Sequence, residues 1–166
     1  MESYKFSSNI FLLSLSLLLA IIVADFFKNF LPIYFIIILL IYFFLSLGLL
    51  TYEIIQKDQR RLLFLKIILL SIILIMGYAD FYFKLSRNYS NVFTDNKILS
   101  VVDSVYFSVT TFTTTGYGDI YPISNSSKMI VASEMIVGYI VSMFAMAMLV
   151  IKFIATDNKK IYKPKK

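Results

Sequence analysis

Long apolar runs closed by polar clusters dominate the chain. Four of them, at residues 6–24, 31–52, 62–79 and 129–151, each proceed with at most one charged residue. An α-helix rises about 1.5 Å per residue, so runs of this length cover a hydrocarbon core roughly 30 Å thick. The pattern predicts an all-α membrane protein with four transmembrane helices. Residues 25–31 join the first two, with Pro32 where a helix start tolerates it, and residues 53–61 form a short polar turn before the third. The stretch between the third and fourth runs is different. Residues 84–100 are polar and read as a loop, whereas 103–112 form an apolar run too short to span, the length of a re-entrant half-helix. Asp103 is placed to cap its N-terminus.

Composition agrees with this pattern. Of the 166 residues 59% are apolar, 17% aromatic and 16% charged, against about 25% charged in soluble domains, and the mean hydropathy is +0.80. The sequence has no Cys and no His, which removes disulfides, thiolate chemistry and the commonest general base and metal ligand. No enzyme and no cofactor is expected.

The net charge of +6 acquires meaning from its placement. With the N-terminus in the cytoplasm, residues 1–5, 53–66 and 152–166 are cytoplasmic and hold eleven of the sixteen basic residues. The positive-inside rule therefore places both termini in the cytoplasm of a multi-pass protein, in the cell membrane, and excludes nucleic acid as the reason for the charge. The basic tail, residues 156–166, reads as a topological anchor, with an anionic-lipid site as the alternative. The first run is too long for a signal peptide and no A-x-A site follows, so it reads as a retained helix. Neither of the first two helices repeats a basic residue every third position, so no voltage sensor is expected.

Directly after the short apolar run comes Thr113-Thr114-Thr115-Gly116-Tyr117-Gly118-Asp119. Residues 114–118 resemble the selectivity filter of potassium channels, with Thr115 in place of the usual Val. The resemblance continues without a gap from Tyr106 through the fourth helix when compared with the simplest two-helix bacterial potassium channels. A lone Gly-Tyr-Gly also suits a surface turn. The succession of outer helix, polar loop, short helix, Thr-rich segment, Asp and inner helix with a mid-span Gly is far more specific.

The physical reason for these residue types is the dehydration of the ion, whose water shell stacked backbone carbonyls can replace. Successive carbonyls face one axis when right- and left-handed backbone alternate, which Gly116 and Gly118 permit. The resemblance implies potassium at the carbonyls of Thr114, Thr115, Gly116 and Tyr117, with Gly118 closing the filter. One chain supplies one strand, so a homotetramer is required to complete the ring. Tyr106, Phe107 and Tyr117 are expected as an aromatic collar, with Tyr106 holding Asp119 through its hydroxyl. Thr110 stands where some of the resembled channels place a buried carboxylate. The C-terminal end of the half-helix should favour a cation through its partial negative charge.

Three charges fall in the apolar runs or at their ends. Lys66 is expected to snorkel to the interface and Asp80 to be interfacial. Glu134 precedes Gly138 by one helical turn, a spacing that resembles bacterial inward-rectifier channels, and is expected to support the filter. Gly138 reads as a hinge or as a close-packing site. Ser142, Met146, Val150 and Ile154 recur every fourth residue beyond it and are candidates for the inner pore.

The domain reading is therefore 1–61 for two N-terminal helices and a cytoplasmic turn, 62–155 for a pore module, and 156–166 for the tail. Within the module the outer helix is expected at 62–83, the pore helix at 103–112, the filter at 113–119 and the inner helix at 128–155. The implied function is passive, potassium-selective conduction, with a non-conducting modulatory subunit or scaffold as the alternative. A transporter built from four covalently linked pore repeats is disfavoured by the single repeat. Asn88 and Asn125 begin sequons that would be glycosylation acceptors in a eukaryote.

Overall fold

The computed structural model describes residues 14–25, 35–55 and 60–161, with side chains at 14–25, 35–50 and 64–150. Among the described residues five α-helices follow one another: α1 (Ser14–Asp25), α2 (Phe35–Ile55), α3 (Arg60–Asn88), α4 (Val101–Phe112) and α5 (Asn125–Ile161). Among the described residues there is no strand beyond a single antiparallel bridge between Phe93 and Pro122. Two helical stretches, Phe64–Asn88 and Asn125–Val150, are long and apolar enough to cross a membrane.

The helices are apolar on nearly every side, and packing selects which face is covered. Leu15 and Ile22 of α1, Leu39 and Phe43 of α2, and Leu70, Ile73 and Leu74 of α3 form one core, which Phe112 of α4 and Val137 and Val141 of α5 extend. A second core lies at the other end of α3 and is aromatic. Tyr82 meets Phe107 with ring centroids 5.0 Å apart and Phe93 at 5.8 Å, and Phe93 meets Phe107 at 5.4 Å. These edge-on contacts fix α4 and the loop before it against α3.

Helix ends differ from the sequence expectation for identifiable reasons. The N-cap of α4 is Ser100, not Asp103. Ser100 Oγ accepts from the Asp103 N–H at 3.1 Å, while Asp103 Oδ2 accepts from the Ser100 N–H at 3.1 Å. This capping box starts the helix two residues earlier than the apolar run. Lys97 also donates to Asp103, at 2.8 Å, and its hydrogen bond, with those from Ser100, lowers the Asp103 carboxyl to about 2. At α5, Ser124 Oγ accepts from the Ser127 N–H at 3.1 Å and starts the helix at Asn125 rather than at 128.

The outer helix, expected to stop at 83, continues to Asn88. Lys84, read as the start of a polar loop, lies inside the helix and is buried. Its ammonium donates to Asp80 at 2.9 Å and to Asp25 at the end of α1. Asp80 is thus buried and paired with Lys84 inside α3, and it is the bond of Lys84 to Asp25 that ties α1 to α3. Lys66 does not snorkel. It is 1% exposed and is engaged within the protein. The basic residues of 1–5 and the tail fall outside the described side chains.

Removing one member of a buried ion group leaves its partners charged in an apolar surround, at a cost of about 3–5 kcal/mol. Lys84→Met should therefore lower the stability of the detergent-solubilised protein by that order, read as a drop in its denaturation midpoint. An unchanged midpoint would show that Asp25 and Asp80 do not depend on Lys84.

Candidate functional site

The segment after α4 takes its course from the last carbonyls of that helix. In a helix the final carbonyls lack intrahelical partners, and here the following chain supplies donors. The Thr113 N–H donates to Val109 O at 3.0 Å and the Thr114 N–H to Thr111 O at 2.9 Å. The N–H groups of Thr115 and Gly116 both donate to Thr110 O, at 2.9 and 3.2 Å. Among the described residues every peptide bond is trans, so each carbonyl points opposite to the N–H of its own peptide plane. With the amides of 114, 115 and 116 turned toward α4, the carbonyls of Thr113, Thr114 and Thr115 point away from it.

The backbone dihedrals follow the same pattern. φ is +57° at Thr114, +51° at Gly116 and +80° at Gly118, whereas Thr115 and Tyr117 have no positive φ. Alternation of this kind places successive amides on one side of the chain and carbonyls on the other. Gly116 and Gly118 adopt the left-handed region at no side-chain cost. Thr114 does so as a β-branched residue, a strain of order 1–3 kcal/mol that nothing in its residue type announces. Residues 113–119 are all exposed in the single chain.

Side chains of the segment bind one another. Thr113 Oγ1 donates to Val109 O at 2.7 Å and lies 2.9 Å from Thr115 Oγ1, a contact that Val at 115 could not make. Thr114 Oγ1 donates to Thr113 O at 2.7 Å. The Thr110 hydroxyl is buried and turned back onto Phe107 O at 3.0 Å, so at this position the backbone carbonyl rather than the side chain holds the segment.

The expected collar divides into two. Tyr106 and Tyr117 stack with centroids 6.2 Å apart and planes 9° from parallel, with Asp119 near the Tyr106 hydroxyl. Phe107 faces the other way, into the aromatic core with Tyr82 and Phe93. The exit of the segment is pinned to the loop before α4. The Thr94 N–H donates to Tyr121 O at 3.0 Å, the Tyr121 N–H to Thr94 Oγ1 at 2.9 Å, and the Ile123 N–H to Val92 O at 2.8 Å. No property of Thr94 or Val92 in the sequence signals this role.

Glu134 and Gly138 lie where α5 meets α4. Glu134 is fully buried and accepts from Tyr82 of α3 at 2.6 Å and contacts Ser108 of α4. A Cβ added to Gly138 would lie 2.2 Å from the backbone oxygen of Phe112. Gly138 is therefore a point of close approach between α5 and the end of α4. Beyond it Ser142, Met146 and Val150 are exposed, with Ser142 Oγ donating to Gly138 O at 2.9 Å. Ile154 lies in α5, but its side chain is outside the described residues.

A family model described as Ion channel matches residues 63–155, more than half of the chain. An uncharacterized protein of Methanothermus fervidus is 50% identical over 40 residues, which cover 24% of this chain and 6% of that protein. Two-pore potassium channel 4 of Arabidopsis thaliana is 33% identical over 76 residues, 46% of this chain and 25% of that protein. The chain thus spans a quarter or less of the length of these relatives. No solved structure matches.

Because the approach at Gly138 is backbone to backbone, the obstacle cannot swing aside. Gly138→Ala should push α5 off the end of α4 and destabilise the protein by about 1–3 kcal/mol, the usual cost of overpacking. Thermal unfolding of the purified variant reads this directly, and a wild-type midpoint would contradict the close approach.

Proposed function

Since the chain belongs to the ion-channel family, we propose that it is a potassium channel whose filter is residues 114–118, assembled as a homotetramer. The observation that carries this reading is the outward set of carbonyls at Thr113, Thr114 and Thr115, held by three amides on α4 and continued by positive φ at Gly116 and Gly118. Carbonyls ordered in this way can substitute for the water shell of a potassium ion. A single strand leaves the other sides of the ion open, so four copies complete the coordination, with potassium at Thr114, Thr115, Gly116 and Tyr117.

A further feature supports the assembly. Much of α5 is uncovered in the single chain, with Ile136, Tyr139, Met143 and Met146 all more than half exposed. In the tetramer this face would serve the subunit contacts and, at Ser142, Met146 and Val150, the inner pore. Tyr106, Thr110, Asp119 and Glu134 would support the filter from behind. The Arabidopsis relative is named a potassium channel, which agrees with this selectivity.

The topology we favour has four spans and both termini in the cytoplasm of the cell membrane. The pairing of Asp25 with Lys84 supports it, because it brings the end of α1 to the end of α3, as two helices running in the same direction require.

Reconstituted alone in a planar bilayer with opposed potassium and sodium gradients, the protein should show a reversal potential close to the potassium equilibrium value. A reversal potential that ignores the potassium gradient would reject the filter, and absence of current from well-assembled protein would favour a modulatory subunit. Gly118→Ala, which disfavours the left-handed backbone by about 1–2 kcal/mol in each chain, should abolish selectivity or conduction.

Rectification offers a separate check. Strong inward rectifiers hold cytoplasmic polyamines on an acidic cavity residue one turn after the hinge Gly, and here that position is the neutral Ser142. Cytoplasmic spermine should block weakly, and Ser142→Asp should add four cavity charges and steepen the block. Sharp rectification of the wild type by spermine would mean that Ser142 does not mark the cavity.

A further inference from the structure

Glu134 is the one fully buried carboxylate among the described residues of α5, and it stands where α3, α4 and α5 meet. The groups around it are hydroxyls. Tyr82 from α3 bonds Oε2, Ser108 from α4 bonds Oε1, and Tyr78 of α3 approaches with its hydroxyl on Ser133, the neighbour of Glu134 on α5. The described ion pairs join Lys84 to Asp25 and Asp80, and Lys97 to Asp103, and none of them involves Glu134.

Ser108 decides the state of the carboxyl. Its Oγ lies within hydrogen-bond distance of Glu134 and also 2.8 Å from the carbonyl oxygen of Ile75 on α3. A hydroxyl carries one proton, and a carbonyl oxygen can only accept. If Ser108 gives its proton to Ile75, it meets Glu134 as an acceptor. The proton that completes the second contact must then sit on Glu134.

We propose that Glu134 is held as a neutral carboxylic acid that donates to Ser108, accepts from Tyr82, and is a positioning residue for α4. The proton order Tyr82→Glu134→Ser108→Ile75 satisfies every group and joins α5 to α4 and α4 to α3 in one directed chain. An ionised carboxylate would instead draw the Ser108 proton away from Ile75 and place a charge among hydroxyls in an apolar surround. This inference deepens the channel reading and rests on it for its consequence, since α4 is the helix whose carbonyls hold residues 114–116.

The test compares the full-length wild type with Glu134→Gln, Glu134→Leu and Ser108→Ala, purified in lipid and matched for assembly by size. Gln keeps the arrangement, because its amide N–H donates to Ser108 and its carbonyl accepts from Tyr82. Infrared difference spectra of wild type against Glu134→Gln at neutral pH read the proton without any current. The expected difference is loss of a carboxylic-acid C=O stretch, and loss of a carboxylate stretch instead would overturn the proposal. In bilayers Glu134→Gln should keep the potassium current, while Glu134→Leu and Ser108→Ala should lose it. An assembled Gln variant without current, or an undiminished current in both of the other variants, would equally overturn the positioning role. A silent wild type with the acid stretch present would count against the channel reading alone.

Discussion

Peptide hydrogen bonds at the end of α4 govern the rest of the site. A helix that stops inside a protein leaves carbonyls that need donors, and the cheapest donors are the amides of the residues that follow. Here Thr110 O takes two of them and Thr111 O and Val109 O one each. Once those amides face the helix, planarity of the trans peptide turns the preceding carbonyls outward. The row of oxygens is thus a consequence of how the helix ends, and the positive φ values at Thr114, Gly116 and Gly118 are the backbone's way of meeting that demand.

Such an arrangement is only as well placed as the helix that directs it. Three sets of contacts hold α4: the capping box at Ser100 and Asp103, the aromatic cluster of Tyr82, Phe93 and Phe107, and the junction with α5 at Glu134 and Gly138. The first fixes where the helix begins, the second which face lies against α3, and the third how closely its end approaches α5. The loop bonds of Thr94 with Tyr121 and of Ile123 with Val92 then fix the far end of the segment. The start of residues 113–119 is therefore tied to the end of α4 and the chain just beyond them to the loop after α3, while the carbonyls of Thr114 and Thr115 are turned away from α4.

Much of this was legible in the residues. Each apolar run contains a helix, and the threonines of 113–115 followed by Gly116 and Gly118 singled out the segment whose backbone turns left-handed, because few other roles need that composition beside a short helix. What escaped was set by partners distant in sequence. Lys84 looks like the start of a loop until Asp25, 59 residues away, is seen to neutralise it together with Asp80. Lys66 looks like a residue that would reach for water, yet it is packed inside the helices. Asp103 looked like a cap and proved to be the second member of a box begun by Ser100. The left-handed backbone at Thr114 is imposed by the bond of its amide to Thr111 O, and residue type alone argues against it. Phe107 carries no mark in the sequence that separates it from Tyr106, although one faces the aromatic core and the other Tyr117.

In the proposed channel four copies of residues 114–118 surround an axis with their carbonyls turned inward. An electron cryomicroscopy reconstruction of the full chain, purified in potassium and in lipid, tests it most directly. The expected result is fourfold symmetry, α4 directed toward the axis, and a column of density between the carbonyls of Thr114 through Tyr117 that changes when sodium replaces potassium. A particle of two or three chains, or one in which those carbonyls face lipid, would contradict it.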